Sequence, residues 1–266
     1  ENKAGNSQPK PNYYRQKSPI LLVLNSEPHL EIVMKRILSS LLLIVGLQAT
    51  SAYSQESTVP AFATIFQFST AEQASVVAAM STFAQSECRK SMPTAIRVMS
   101  ENWNGNEAPT HSVIFNFIDA KSITETFGKM QQCRAAGNLM AVLKEHTQSV
   151  SQQLLRTLHT GGDYTKDTSY VVWQTSVTDE ATYVAAYKKL MDAQEKAGSV
   201  NGAYGLWRVQ GGADSNVTHI AFAGAKDLET LLANGTPSKA FAEFQKTVAG
   251  IRTVYRMNIN SVVADL

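Results

Sequence analysis

Three polar side-chain types occur at matching places in two parts of this 266-residue chain: Gln67 and Gln174, His111 and His219, Arg156 and Arg256. Histidine titrates near neutrality, so His111 or His219 could take a proton from an acidic C–H or O–H group. Glutamine supplies a donor and an acceptor, and arginine a fixed positive fork. Together they suit a small ligand with a polar group. The competing reading is architectural, with histidines at strand starts near solvent, arginines snorkelling from strand edges and glutamines satisfying nearby backbone. Other chemistry lacks its residues. No His-x-x-x-His, Cys-x-x-Cys or Asp-x-Asp-x-Asp cluster offers metal ligands, no Gly-x-Ser-x-Gly elbow a nucleophile, and no Gly-x-x-x-x-Gly-Lys loop a phosphate cradle. No metal or cofactor is expected from these motifs.

The matched pairs belong to a longer self-similarity. Gln67 and Gln174, Ser69 and Ser176, and Ala78-Ala79 and Ala185-Ala186 agree at an offset of 107, and Thr110-His111 and Thr218-His219 at 108. A period this long marks a duplicated domain. Each copy opens with a strand-like run, 62–68 and 170–175, rich in aromatic and β-branched residues. Capping spacings follow at Ser69-Thr70-Ala71-Glu72 and Ser176-Val177-Thr178-Asp179. Val76, Val77, Met80, Phe83 and Ala84, echoed by Tyr183, Val184, Tyr187, Leu190 and Met191, predict a helix with one buried face. Hairpins are expected at 94–117, turning at Asn104-Gly105-Asn106, and at 203–223, turning around Gly211-Gly212. A second helix starts at Ser122-Ile123-Thr124-Glu125 and breaks at Gly137-Asn138; its counterpart breaks at Asn234-Gly235-Thr236-Pro237. Closing strands at 150–158 and 252–262 place Arg156 in the position of Arg256, and Thr160-Gly161-Gly162-Asp163 reads as the linker.

The order β-α-β-β-α-β, twice, predicts an α+β fold of two tandem ferredoxin-like units, 57–160 and 165–266, each with both helices on one sheet face. Burying the two bare faces calls for packing sheet to sheet. The element order, the duplication and the broken second helix Ser238-Lys239-Ala240-Phe241-Ala242-Glu243-Phe244 resemble the dimeric α/β-barrel superfamily, its monooxygenase-like branch included. The resemblance implies a pseudo-dimeric α/β barrel in one chain and, as one function, a cofactor-independent oxygenase or isomerase. It also raises haem, since chlorite-dismutase-like and dye-decolorising-peroxidase-like proteins use paired units and a helix-borne histidine. His146 or His159 would then be the ligand, although the Gly-x-x-Asp-Gly motif of the dye-decolorising group is missing.

Met34-Lys35-Arg36, the apolar run 37–47 and the small residues around Ala52 and Ser54 read as a signal peptide at 34–52, too short for the roughly 18 residues of a membrane span. Residues 1–33 read as an over-extended reading frame, or alternatively as a cytoplasmic extension ahead of an anchor. A periplasmic or secreted protein of Gram-negative export is expected. Of the 24 basic residues six precede Tyr53, as do three of the 22 acidic ones, so the remainder holds 18 against 19, a formal charge of −1. That balance offers no footprint for nucleic acid or anionic lipid. In an oxidising compartment Cys88 and Cys133 could form a bridge, or stand as two separate buried thiols. The expected partner is a small, mostly apolar ligand held between the units of a monomer or weak homo-oligomer.

Overall fold

The computed structural model describes residues 59–212, 216–233 and 238–266, all within the compact unit Gln55–Leu266. The signal peptide read at 34–52, the segment before it and the helix break read at 234–237 lie outside the described residues. The first copy runs β1 (Phe62–Ser69), α1 (Gln73–Ala84), the single turn α2 (Glu87–Lys90), β2 (Ala95–Trp103), β3 (His111–Phe117), α3 (Ala120–Gln132), α4 (Arg134–His146) and β4 (Gln148–Gly161). The second runs β5 (Ser169–Val177), α5 (Glu180–Lys196), β6 (Tyr204–Gly211), β7 (His219–Ala225), α6 (Leu228–Leu232), α7 (Lys239–Val248) and β8 (Arg252–Asp265).

The eight strands close into an antiparallel barrel in the order β1-β3-β2-β8-β5-β7-β6-β4. Within it each copy keeps its own ferredoxin-like sheet, β4-β1-β3-β2 and β8-β5-β7-β6, so the expected duplicated α+β barrel is present. The sheets also join edge to edge, β2 to β8 and β4 to β6. Among the described residues no strand edge is left over to pair with another chain.

Period-2 alternation divides the strand side chains between two cores. One lies under the helices: Val76, Met80 and Phe83 of α1 pack on Val98, Phe115 and Phe117, and Tyr183, Tyr187 and Leu190 of α5 on Leu206 and Ala221. The other fills the lumen with Ala63, Ile65, Leu155, Trp207 and Ile220, joined by Val172, Val209 and Phe222. The Trp207 and Phe222 rings are 4.4 Å apart, and a Cβ on Gly205 would collide with Phe222. The middle of this small barrel is therefore packed with side chains.

The helix ends differ from the expected capping boxes. α1 has no side-chain cap, and Thr70 Oγ1 instead accepts from the Glu72 N–H. α5 is capped by Asp179, which accepts from the Thr182 N–H at 3.0 Å. α3 begins earlier than Ser122 implies: Asp119 accepts from the Ser122 N–H at 2.7 Å, and the Ser122 hydroxyl accepts from the Asp119 N–H. In α3 and α5 a carboxylate, the stronger acceptor, has taken the place read for a hydroxyl. The break in the second helix falls at Cys133, with extended backbone at φ −99° and ψ 117°, while Gly137 and Asn138 lie inside α4. One helical glycine costs only about 1 kcal/mol, too little to end a helix. The break brings Cys133 to Cys88, Cα to Cα 6.2 Å, and the two form a disulfide.

Candidate functional site

Gln67 and Gln174 sit two residues beyond the lumen residues Ile65 and Val172, so the pleat turns both inward at one end of the barrel. Gln67 donates Nε2–H to Glu101 Oε1 at 3.1 Å and accepts the Ser151 hydroxyl at 2.7 Å. Asn258 donates Nδ2–H to the other carboxylate oxygen of Glu101 at 3.3 Å. The register carries this polar layer around the wall, with Asn258 opposite Val172, Arg256 opposite Gln174 and Asn260 opposite Glu101. At the rim Arg256 forms an ion pair with Glu107 of the β2–β3 loop at 2.7 Å. The Oδ1 atoms of Asn258 and Asn260 are buried without a hydrogen-bond partner among the described residues.

The histidines point the other way. Ser112 and Ile220 share the inward register of Gln67 and Gln174, which turns His111 and His219 towards the helices. His111 stacks on Phe68 with ring centroids 5.6 Å apart, and its Nδ1 is 2.9 Å from Thr110 Oγ1. His219 has Nδ1 2.8 Å from Thr218 Oγ1 and Nε2 3.0 Å from Glu180 Oε2, a carboxylate that also holds Arg208 Nε at 2.6 Å. Both threonine hydroxyls accept a backbone N–H, from Thr70 and from Val177. The repeated Thr-His pair is thus a clamp that ties the start of β3 or β7 to the end of β1 or β5. Only copy two adds a charge to it, because Gln73 and Ser100 occupy the first-copy positions of Glu180 and Arg208. Glu180, Arg208, Thr218 and His219 line an open recess of about 510 Å³ on the outside of the barrel.

Burial holds His111 below the ordinary imidazole value, against the pull of Glu101, and holds His219 below it against Glu180. His159 is lowered by burial and then by Lys188. All three stay neutral in the folded chain where the unfolded chain, titrating near 6.5, takes up protons. The unfolded state then binds more protons, so stability is complete above that value and is lost as pH falls below it. The urea midpoint should drop between about pH 7 and pH 5.5, and the drop should shrink in a His111→Gln/His159→Gln variant. An unchanged slope in that variant would reject this origin.

Arg156 is exposed on the outer wall, opposite Phe62 on one side and Arg208 on the other. It is not the counterpart of Arg256. Gln67 faces Ser151 and Gln174 faces Arg256, each beside a bulge, so Ser151 fills the equivalent place and Arg156 aligns with Ser261. The two arginines share a residue type but not a strand register. Neither haem candidate belongs to the lumen wall. His146 ends α4 with Nε2 4.0 Å from Glu145, and His159 lies against the rings of Tyr187 and Tyr204 at 6.0 and 5.7 Å. These residues do not fit a proximal haem ligand in the lumen. Among the described residues no group of three or more His, Cys, Asp or Glu side chains assembles for a metal ion.

Glu101, Asn258 and Asn260 were missed by the sequence reading. The available signal was a carboxylate inside the otherwise strand-like 95–103 and the alternation Asn258-Ile259-Asn260. The opposite end of the lumen is a structural lock. Arg97 holds Asp265 with two bonds, at 2.6 and 2.8 Å, and donates to the Tyr170 hydroxyl, while buried Asp167 accepts the Ala203 N–H.

Neither a protein-family model nor a curated protein matches the chain. Solved structures do match it in fold. A candidate monooxygenase from Lactobacillus acidophilus superposes with TM-score 0.54 at 10% identity, over 77% of this chain and 93% of that one. A second, from Fusobacterium nucleatum, gives 0.53 at 11% over 79% and 94%. An anthrone oxidase-like protein gives 0.51 at 11% over 78% and 93%. Identities this low speak for fold and not for activity. The chain has the dimeric α/β-barrel fold, with both halves of the barrel supplied by one polypeptide.

Proposed function

We propose that the chain is an exported binding protein whose small ligand, apolar in body, reaches the polar end of the lumen between the two copies. One observation carries this reading: Gln67 and Gln174, one from each copy, come to the same end of a lumen otherwise walled by Ile65, Val172, Trp207 and Val209. A polar group of the ligand would meet the glutamines, and its apolar part the rim of that packed layer. The Cys88–Cys133 disulfide supports export, since such bonds persist in oxidising compartments. Closure of the barrel by a single chain supports a monomer. The test is native mass spectrometry of protein recovered from the periplasm of an expression host and then offered a small-molecule library. A stoichiometric ligand is expected on the wild type, with occupancy about tenfold lower in Gln67→Leu/Gln174→Leu, as for the loss of two buried hydrogen bonds. Equal occupancy in both proteins, or no ligand on either, overturns the reading.

A second reading rests on the recess of copy two. His219 is held neutral and is oriented by Glu180, the arrangement of a base in a cofactor-independent oxygenase or isomerase. The candidate monooxygenases among the fold neighbours lend it context. His219→Gln should abolish turnover of a quinol-like substrate, and unchanged turnover removes the assignment.

A further inference from the structure

We infer that the polar end of the lumen takes a monovalent cation, as a metal ion or as the ammonium group of a primary amine, on Glu101, Asn258 and Asn260. The inference rests on the reading of that lumen end as a binding site. Glu101 is 7% exposed, Asn258 3% and Asn260 5%. The carboxylate receives amide N–H groups from Gln67 and Asn258 and makes no ion pair among the described residues. Arg256, the cation on the neighbouring stretch of β8, is taken by Glu107. The two oxygens of Glu101 each receive one amide N–H, and the Oδ1 atoms of Asn258 and Asn260 receive none among the described residues. Turning the Asn258 amide over does not help, because its oxygen would then oppose the carboxylate. Buried acceptors in native proteins are satisfied, and among the described residues no donor or positive charge meets these two amide oxygens, so the inference places one there.

The chemistry narrows the occupant. A carboxylate and amide oxygens are hard ligands, suited to alkali cations and ammonium groups and not to metals that favour sulfur or imidazole. One carboxylate balances one positive charge. A divalent ion would leave an uncompensated charge against Ile65 and Val172, in a medium that penalises it. Glu101 and Asn260 stand directly opposite each other on the β2–β8 seam, so a cation there would also cross-link the two copies.

The test uses the disulfide-bonded protein at constant ionic strength in choline chloride, titrated separately with sodium, potassium, ammonium and methylammonium chloride. The unfolding temperature should rise saturably with at least one of them. Half-saturation should move about tenfold higher in Glu101→Gln, as for loss of a charge-assisted contact, and by less than about twofold in Glu125→Gln on α3. Should Glu101→Gln fail to fold, Asn260→Leu carries the same comparison. A response to sodium or potassium identifies a metal ion, and a response to methylammonium an amine. An unfolding temperature indifferent to all four salts, or an equal rise in wild type and variants, overturns the inference. A cation response without any co-purifying small molecule supports this inference while removing the apolar ligand proposed above. A small molecule without a cation response does the reverse.

Discussion

Replacing both Cys88 and Cys133 with serine should lower the stability of the fold by about 4 kcal/mol, the chain-entropy value for a loop of this length. The bridge spans a sequence separation of 45 and ties the single turn α2 to the break between α3 and α4. Cys133 has a second role, since its Sγ accepts the Ala136 N–H and so caps α4 at 3.3 Å. Serine can make that cap, so Cys133→Ser isolates the cross-link, whereas Cys133→Ala would add about 1 kcal/mol for a lost N-cap. Urea denaturation of the serine variant and of the reduced wild type should give the same midpoint, well below that of the oxidised wild type. A shift worth less than about 1 kcal/mol would mean that the helices of copy one already hold the reduced chain's loop closed.

The local elements were legible because their patterns are local. Val76, Met80 and Phe83, or Tyr183, Tyr187 and Leu190, announce a buried helical stripe wherever they stand, and the duplication doubled that signal. Closure of the barrel left no such trace. The β2–β8 and β4–β6 seams join Arg97 to Asp265 and Leu155 to Val209, pairings that no periodicity encodes. The glutamines were readable because Gln67 and Gln174 stay in phase with inward Ile65 and Val172. The histidines misled because a match between copies reports retention and not direction. With Val113 and Phe115 buried on one face and Ser112 buried and Ile114 half-buried on the other, both faces of β3 are covered, and alternation alone does not tell which of them meets the lumen. Arg156 and Arg256 paired by type across a gap where only register could align them. Glu101 and Asn258 came together only when the two sheets met, since their hydrogen bond joins residues 157 apart in the chain.

Truncating Leu155 to alanine should cost about 4 kcal/mol, the upper part of the range for a buried leucine. Leu155 has no exposed surface and lies on the seam strand β4, opposite Ala63 on one side and Val209 on the other, against Ile65, Trp207 and Ile220. The wall cannot collapse into the space, because closed hydrogen-bond ladders fix the strands and the facing Ala63 has almost no side chain to move. Leu154, one residue earlier, turns outward and is 37% exposed, so Leu154→Ala should cost less than about 1 kcal/mol. The contrast between adjacent leucines measures the alternation on which every lumen assignment depends. If Leu155 instead bordered an open ligand chamber, it would lose few contacts, and the two variants would differ by less than about 1 kcal/mol. The hole left by Leu155→Ala would be lined by Ile65, Trp207 and Ile220 and would stay dry, so benzene should raise the unfolding temperature of that variant and leave the wild type unmoved.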